Sequence, residues 1–183
     1  MTAEILSGTE IAKEIREDLK NEVAELKAKH NVVPGLVTIL VGEDPASQSY
    51  VGAKERTSLA LGIYSERKDI PVETTQEELL ALVKQYNADP KINGILVQLP
   101  LPKHIDAKAV LYEINPDKAV DAFHPFNVVP LLIGDPSFLP CQPAGIQETI
   151  IRSGMKTNGA VVVVVGRSNI VGEPIAIIML RPA

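Results

Sequence analysis

The sequence predicts an α/β protein: a three-layer unit on a mainly parallel sheet, followed by the first part of a Rossmann-like unit. Three observations carry this expectation. Apolar strand segments and helical segments alternate as strand–helix–strand–helix–strand along residues 35–97. The strands "GLVTILVG" and "INGILV" are almost continuously apolar, as strands covered on both faces are. Further on, "GAVVVVVGRSNIVGEPIAIIML" carries an apolar run into a glycine turn and then a helical pattern, like the first unit of a dinucleotide fold.

Each element has its own local warrant. In "SGTEIAKEIREDLKNEVAELKAKH", Ser7 precedes Glu10 by three residues, the spacing of a capping box. Ile11, Ile15, Leu19, Val23 and Leu26 follow at helical intervals, which predicts an amphipathic helix. Residues 35–42 form a buried strand between two glycines. Asp44 and Pro45 suit an N-cap and first helical position, and Gly62 suits the residue just past that helix's end. "IYSERKDI" is a second strand, "TTQEELLALVKQYNAD" a helix stopping before Pro90, "INGILVQLPLP" a third strand entering a proline-rich turn, and "IDAKAVLYEI" a short helix. The next stretch, "NPDKAVDAFHPFNVVPLLIGDPSFLPCQPAG", holds six prolines and little periodicity, which predicts an ordered irregular loop over the sheet edge. "AGIQETIIRSG" reads as a helix bridging to the second unit, with residues 160–165 as a buried strand behind it. The domain division expected is 1–142 and 143–183.

Bulk properties narrow the function classes. The chain has 183 residues, 45% hydrophobic and 22% charged, enough for one domain or one and part of a second. A net charge of −5 without a lysine/arginine cluster argues against a general nucleic-acid surface. The single cysteine, Cys141, excludes an intramolecular disulfide and suits a reducing compartment. The charged N-terminal segment lacks the apolar core of a secretory signal, and five valines fall far short of a membrane span. The expectation is a soluble cytoplasmic protein without a membrane or nucleic-acid partner.

Tyr50 and Lys54 stand four apart, on one face of the helix that follows the first strand. A solvated helix face is the plain alternative. The face continues through Ala53, Thr57 and Ala60, small residues that permit close approach, and the helix starts at the carboxyl end of a strand, where open α/β sheets place ligands. Gln98 ends the third strand, as an edge amide satisfied by backbone or as an amide in the same crevice. "PDKAVDAFHP" carries Asp117, which looks like turn chemistry, and Asp121, the better candidate for a ligand-facing carboxylate. His30, His104 and His124 are scattered without zinc spacing and read as surface or loop residues; Cys141 reads as a small packing residue. No metal site is expected. "VGRSNIVGEP" lacks the G-x-G-x-x-G spacing, but its glycine turn and following helix N-terminus could receive phosphate, with Arg167 either pairing a phosphate or serving as a cap.

Taken in collinear order, "AEILSGTEIAKEIREDLK", "VGEDPASQSYVGAKERTSLALGI", "NGILVQLPLP", "PDKAVDAFHP", "LPCQPAGI" and "VVVVVGRSNIVGEP" resemble the bifunctional methylenetetrahydrofolate dehydrogenase/cyclohydrolase family over essentially the whole chain. The resemblance implies a folate-binding catalytic domain over 1–142 and an NADP-binding domain from 143. It implies oxidation of methylenetetrahydrofolate with NADP and hydrolysis of the methenyl product to formyltetrahydrofolate; a homodimer is expected separately, because the second domain is unfinished. It makes Lys54 the central catalytic residue, Tyr50 a group that positions folate and lysine, Gln98 the support of the lysine, and Asp121 the holder of the pterin ring. Val97 and Leu99 join the substrate-binding set, and Gly166, Arg167 and Ser168 correspond to the NADP-phosphate turn.

The chain also departs from the family. Ala122 stands where glycine is usual, "NVVPLL" with Pro130 replaces a stretch with glycine and arginine, Gln142 stands for threonine, and Glu173 for lysine. The family continues well beyond "IIMLRPA", so the cofactor domain is expected to be incomplete. The alternative is therefore a folate-binding or interaction module without full activity. A short-chain dehydrogenase, which also pairs tyrosine with lysine, is opposed by chain order, since there the pair follows the nucleotide fold.

Overall fold

The computed structural model describes residues 5–181 and contains three strands and seven α-helices among them. They are α1 (Gly8–His30), β1 (Gly35–Val41), α2 (Pro45–Ala60), β2 (Tyr64–Ile70), α3 (Gln76–Ala88), β3 (Gly94–Val97), α4 (Ala107–Glu113), α5 (Pro125–Ile133), α6 (Cys141–Arg152) and α7 (Gly172–Met179). The chain divides into two compact units. One comprises Asp18–Val120; the other combines the segment up to Glu17 with the chain from Asp121 onward.

The first unit is built on the sheet β2–β1–β3, parallel throughout. Parallel neighbours need crossovers, and α2 and α3 supply them. Side chains alternate along a strand, so the two faces of β1 bury different partners. Val37, Ile39 and Val41 join Leu79, Val83 and Tyr86 of α3, Ile95 and Val97 of β3, and Val110 of α4 in one core. On the opposite face α2 packs against β1 and β2 and buries Val51 completely. The three layers expected are present.

Local chemistry sets the element ends. Thr75 and Glu78 form a complete capping box at the start of α3, and the Ser7 hydroxyl accepts from the Glu10 N–H at 3.3 Å before α1. Hydrogen bonding to the backbone N–H of Thr75 holds the Glu78 carboxyl below its ordinary range. Of the apolar stripe on α1, only Val23 is fully buried; Leu19 and Leu26 stay exposed. The Tyr86 hydroxyl donates to Glu66 at 2.5 Å, and burial pushes its pKa well above the phenol range.

Two expectations are corrected here. The proline-rich segment is more regular than its composition suggests, because Pro116 and Pro125 stand where helices tolerate proline. Pro116 opens a 3₁₀ turn (Pro116–Lys118), and Pro125 is the first residue of α5. Pro130 lies inside α5, and its carbonyl accepts from Gly134 and Asp135 where Gly134 (φ 96°) ends the helix. The second correction concerns residues 160–165, which form no strand. A strand requires a hydrogen-bonded neighbour, and none of the described residues supplies one; Val161 is 93% exposed and Val165 98%. In this unit α7 packs against both α6 and α5. No helix among the described residues is long and apolar enough to cross a membrane.

Gly35 opens β1 in a reciprocal pair with Asn93: its N–H donates to Asn93 Oδ1, and its carbonyl accepts the Asn93 N–H, each at 2.8 Å. A Cβ at this position would lie 2.0 Å from the Lys91 carbonyl oxygen, a backbone atom that cannot swing aside. Gly35→Ala is expected to cost about 3 kcal/mol, read as a lowered denaturant midpoint with unchanged slope.

Candidate active site

Helix α2 leaves the carboxyl end of β1 through Gly42, whose φ of 83° suits glycine. Asp44 caps it, accepting from the Ser47 N–H at 2.8 Å, and Pro45 occupies its first turn. That backbone hydrogen bond, with the Ser47 hydroxyl second, lowers the Asp44 pKa. At the far end Ile63 N–H reaches the Ser58 carbonyl and Gly62 N–H the Leu59 carbonyl, a Schellman closure with Gly62 at φ 83°. A helix closed at both ends holds Tyr50 and Lys54 on one face. Tyr50 is 66% exposed, and Lys54 is half-buried.

Lys54 Nζ donates to Gln98 Oε1 at 2.8 Å, across 44 residues of sequence. Gln98 is fixed twice. Its backbone N–H donates to the Ile39 carbonyl at 2.9 Å, continuing the β1–β3 ladder, and its side-chain Nε2 donates to the Leu99 carbonyl at 2.6 Å. The second bond commits the amide nitrogen and so turns the carbonyl oxygen toward Lys54. Val97 beside it is buried and Leu99 half-buried. The orienting role of the Leu99 carbonyl has no signature in the sequence, because every residue carries one.

Asp121 lies in the second unit and is buried. Its Oδ1 accepts from the Phe123 N–H at 3.2 Å, an Asx turn that fixes the carboxylate against its own backbone. Between them Ala122, buried, takes φ 59°, the left-handed region that favours glycine. His124 stands in a loop, one of the two placements expected, but it is not at the surface. It is buried at the N-cap of α5, its Nδ1 accepts from the Phe126 N–H at 3.2 Å, and its ring stacks on Phe126. The only signal for this role was the proline of "HPF", which suits the first helical position and so makes the residue before it the cap. Cys141 is likewise exposed at the start of α6 rather than packed.

The turn Gly166–Ser168 lies in the second unit. Ser168 Oγ accepts from Val171 and Gly172 N–H, both at 3.2 Å, and closes the turn onto α7. A Cβ on Gly172 would stand 2.7 Å from the Gly166 carbonyl group, so only glycine permits this approach. Arg167 is exposed, and Glu173 sits in the first turn of α7.

Comparison with known proteins agrees along the whole length. The family model for the tetrahydrofolate dehydrogenase/cyclohydrolase catalytic domain matches residues 6–121, and the model for its NAD(P)-binding domain matches 140–183. The Bifunctional protein FolD of Syntrophobacter fumaroxidans is 58% identical over 100% of this chain and 62% of its own length; that of Desulfotalea psychrophila is 60% identical over 99% and 62%. Among solved structures, the FolD methylenetetrahydrofolate dehydrogenase/cyclohydrolase of Campylobacter jejuni superposes with a TM-score of 0.92 at 42% identity, covering 96% of this chain and 62% of that one. The Trypanosoma brucei methylenetetrahydrofolate dehydrogenase-cyclohydrolase, complexed with NADP and inhibitor, gives 0.94 at 37%, covering 98% and 62%. The chain thus spans about 62% of the length of these relatives.

Two outcomes are expected from the local geometry. Ala122→Gly should stay within about 1 kcal/mol of wild type in chemical denaturation, whereas Ala122→Val, β-branched in the left-handed region, should lose about 2 kcal/mol. Asp44 has a depressed folded pKa, so its contribution is present above the ordinary carboxylate value and is lost as pH falls through the lower folded one. The thermal midpoint of wild type should exceed that of Asp44→Asn at pH 7, and the gap should close below about pH 4.

Proposed function

The chain belongs to the tetrahydrofolate dehydrogenase/cyclohydrolase family, and from that premise we propose that it acts on the folate one-carbon unit. The reactions are oxidation of 5,10-methylenetetrahydrofolate to the methenyl form with NADP, and hydrolysis of that product to 10-formyltetrahydrofolate. Lys54 is the catalytic residue, Tyr50 positions it and the folate, Gln98 supports it, Val97 and Leu99 flank the substrate, and Asp121 holds the pterin.

The Lys54–Gln98 hydrogen bond carries this reading. A lysine that exchanges protons near neutrality must be relieved of its ordinary pKa of about 10.4. A carboxylate partner would hold the ammonium form. The amide oxygen of Gln98 accepts from Nζ in either protonation state without adding net charge, and the Leu99 carbonyl prevents the amide from rotating its nitrogen toward the amine. Lys54 Nζ can then take a proton from the water that attacks the methenyl carbon. The buried Asp121 carboxylate, with one oxygen bound to the Phe123 N–H, suits the N–H donors of a pterin edge.

The turn Gly166–Ser168 fits a phosphate-bearing cofactor: glycine at 166 and 172 lets backbone approach closely, and Arg167 offers an exposed guanidinium. NADP, when bound, supplies the hydride acceptor. Arg167 and Ser168 would hold its phosphate, while Glu173 opposes that charge. The working division is a catalytic domain over 1–142 and a cofactor-binding domain from 143. The lone Cys141 supports a cytoplasmic setting, and the exposed Val161, Val163 and Val165 support a homodimer. The 160–165 segment, which has no strand partner among the described residues, favours a second reading, a folate-binding module without turnover.

Purified protein given methylenetetrahydrofolate and NADP should produce NADPH, and Lys54→Met should abolish methenyl hydrolysis. Folate binding with neither turnover would establish the module instead. Equal hydrolysis by wild type and Lys54→Met would remove Lys54 from the site.

A further inference from the structure

We infer that Lys118 is a positioning residue for Asp121, clamping the chain to the end of α3 three residues before the carboxylate; this rests on the reading of Asp121 as the pterin-binding group. Lys118 closes the 3₁₀ turn Pro116–Lys118 and is half-buried. Its Nζ donates to the carbonyls of Tyr86 at 3.1 Å, Asn87 at 2.8 Å and Asp89 at 2.8 Å. An ammonium has three protons, and each has a backbone acceptor here. The acceptors lie at the carboxyl end of α3 and at its C-cap Asp89, where the helix dipole favours a cation; the Tyr86 and Asp89 carbonyls also accept the Asp89 and Ile92 N–H groups.

A second tie runs beside the first. Asn87 Nδ2 donates to the Glu113 carbonyl at 2.7 Å, and Asn87 Oδ1 accepts the Asn115 N–H at 2.8 Å. The segment 113–118 is therefore strapped to one helix end. From this anchor Ala119 bridges Ile95 of β3, and Val120 covers Gly94, where a Cβ would meet Val120 Cγ1 at 2.6 Å. Asp121 follows at once, its Oδ1 held by the Phe123 N–H and its neighbour Ala122 in the left-handed region. The clamp thus helps fix the backbone up to Val120, the residue before Asp121, and Lys118 acts on folate through Asp121 alone.

The test is a double-mutant cycle on tetrahydrofolate affinity, measured by calorimetry under reducing conditions, with Phe123 amide exchange followed by NMR. Lys118→Met should bind about tenfold more weakly, and Lys118→Arg should recover most of the loss. The double variant Lys118→Met/Asp121→Asn should bind no more weakly than Asp121→Asn alone, because both act through one group. Phe123 amide exchange should accelerate at least tenfold in Lys118→Met. Unchanged affinity, independent losses in the cycle, or unchanged Phe123 exchange would each overturn the inference. If Lys118→Met does not fold, Lys118→Gln, which keeps two donors, carries the same cycle. Failure of wild type to bind tetrahydrofolate would instead overturn the functional reading, and Phe123 exchange would still decide whether Lys118 holds the turn.

Discussion

The position of β1 as the middle strand of a parallel sheet is the constraint from which the Lys54–Gln98 pair follows. Parallel pairing with both β2 and β3 puts the carboxyl ends of all three strands at one edge. Helix α2 starts from that edge after Val41, and β3 delivers Gln98 to the same edge, where its N–H is pinned to the Ile39 carbonyl. Two residues separated by 44 positions meet at 2.8 Å because the ladder leaves them nowhere else to go. A register slip of one residue would send Gln98 to the opposite face and dissolve the pair.

Local closures then convert approximate placement into geometry. Asp44 and the Gly62 Schellman motif limit fraying at the ends of α2, and the Leu99 carbonyl selects one orientation of the Gln98 amide. Lys118 does comparable work at the carboxyl end of α3, with backbone carbonyls as partners in place of a side chain. In each case a backbone group settles where a side chain points.

The second unit follows a different logic. Among the described residues it holds no strand, and its turns are defended by glycines and prolines. Gly172 permits contact with Gly166, Gly134 ends α5, and Pro125 begins it. Ala122 shows the cost of departing from this rule: a methyl group occupies backbone space in which glycine would be unstrained. The valines at 160–165 lack a neighbouring strand among the described residues, and apolarity alone does not make a strand.

By itself the sequence determined the fold class, the strands β1–β3, the helices α2, α3 and α4, and the Asp44 cap of α2. These depend on spacing and end chemistry that a short window contains, as in Asp44–Pro45. It also pointed to Tyr50, Lys54, Gln98 and Asp121 as one group, through collinear motifs rather than through any single spacing. Tertiary structure decided the rest. The Lys54–Gln98 hydrogen bond, the burial of His124, the exposure of Cys141 and the three-carbonyl clamp on Lys118 all depend on which distant backbone each side chain meets. So does the fate of residues 160–165, because a strand is a property of two segments and a sequence window contains only one.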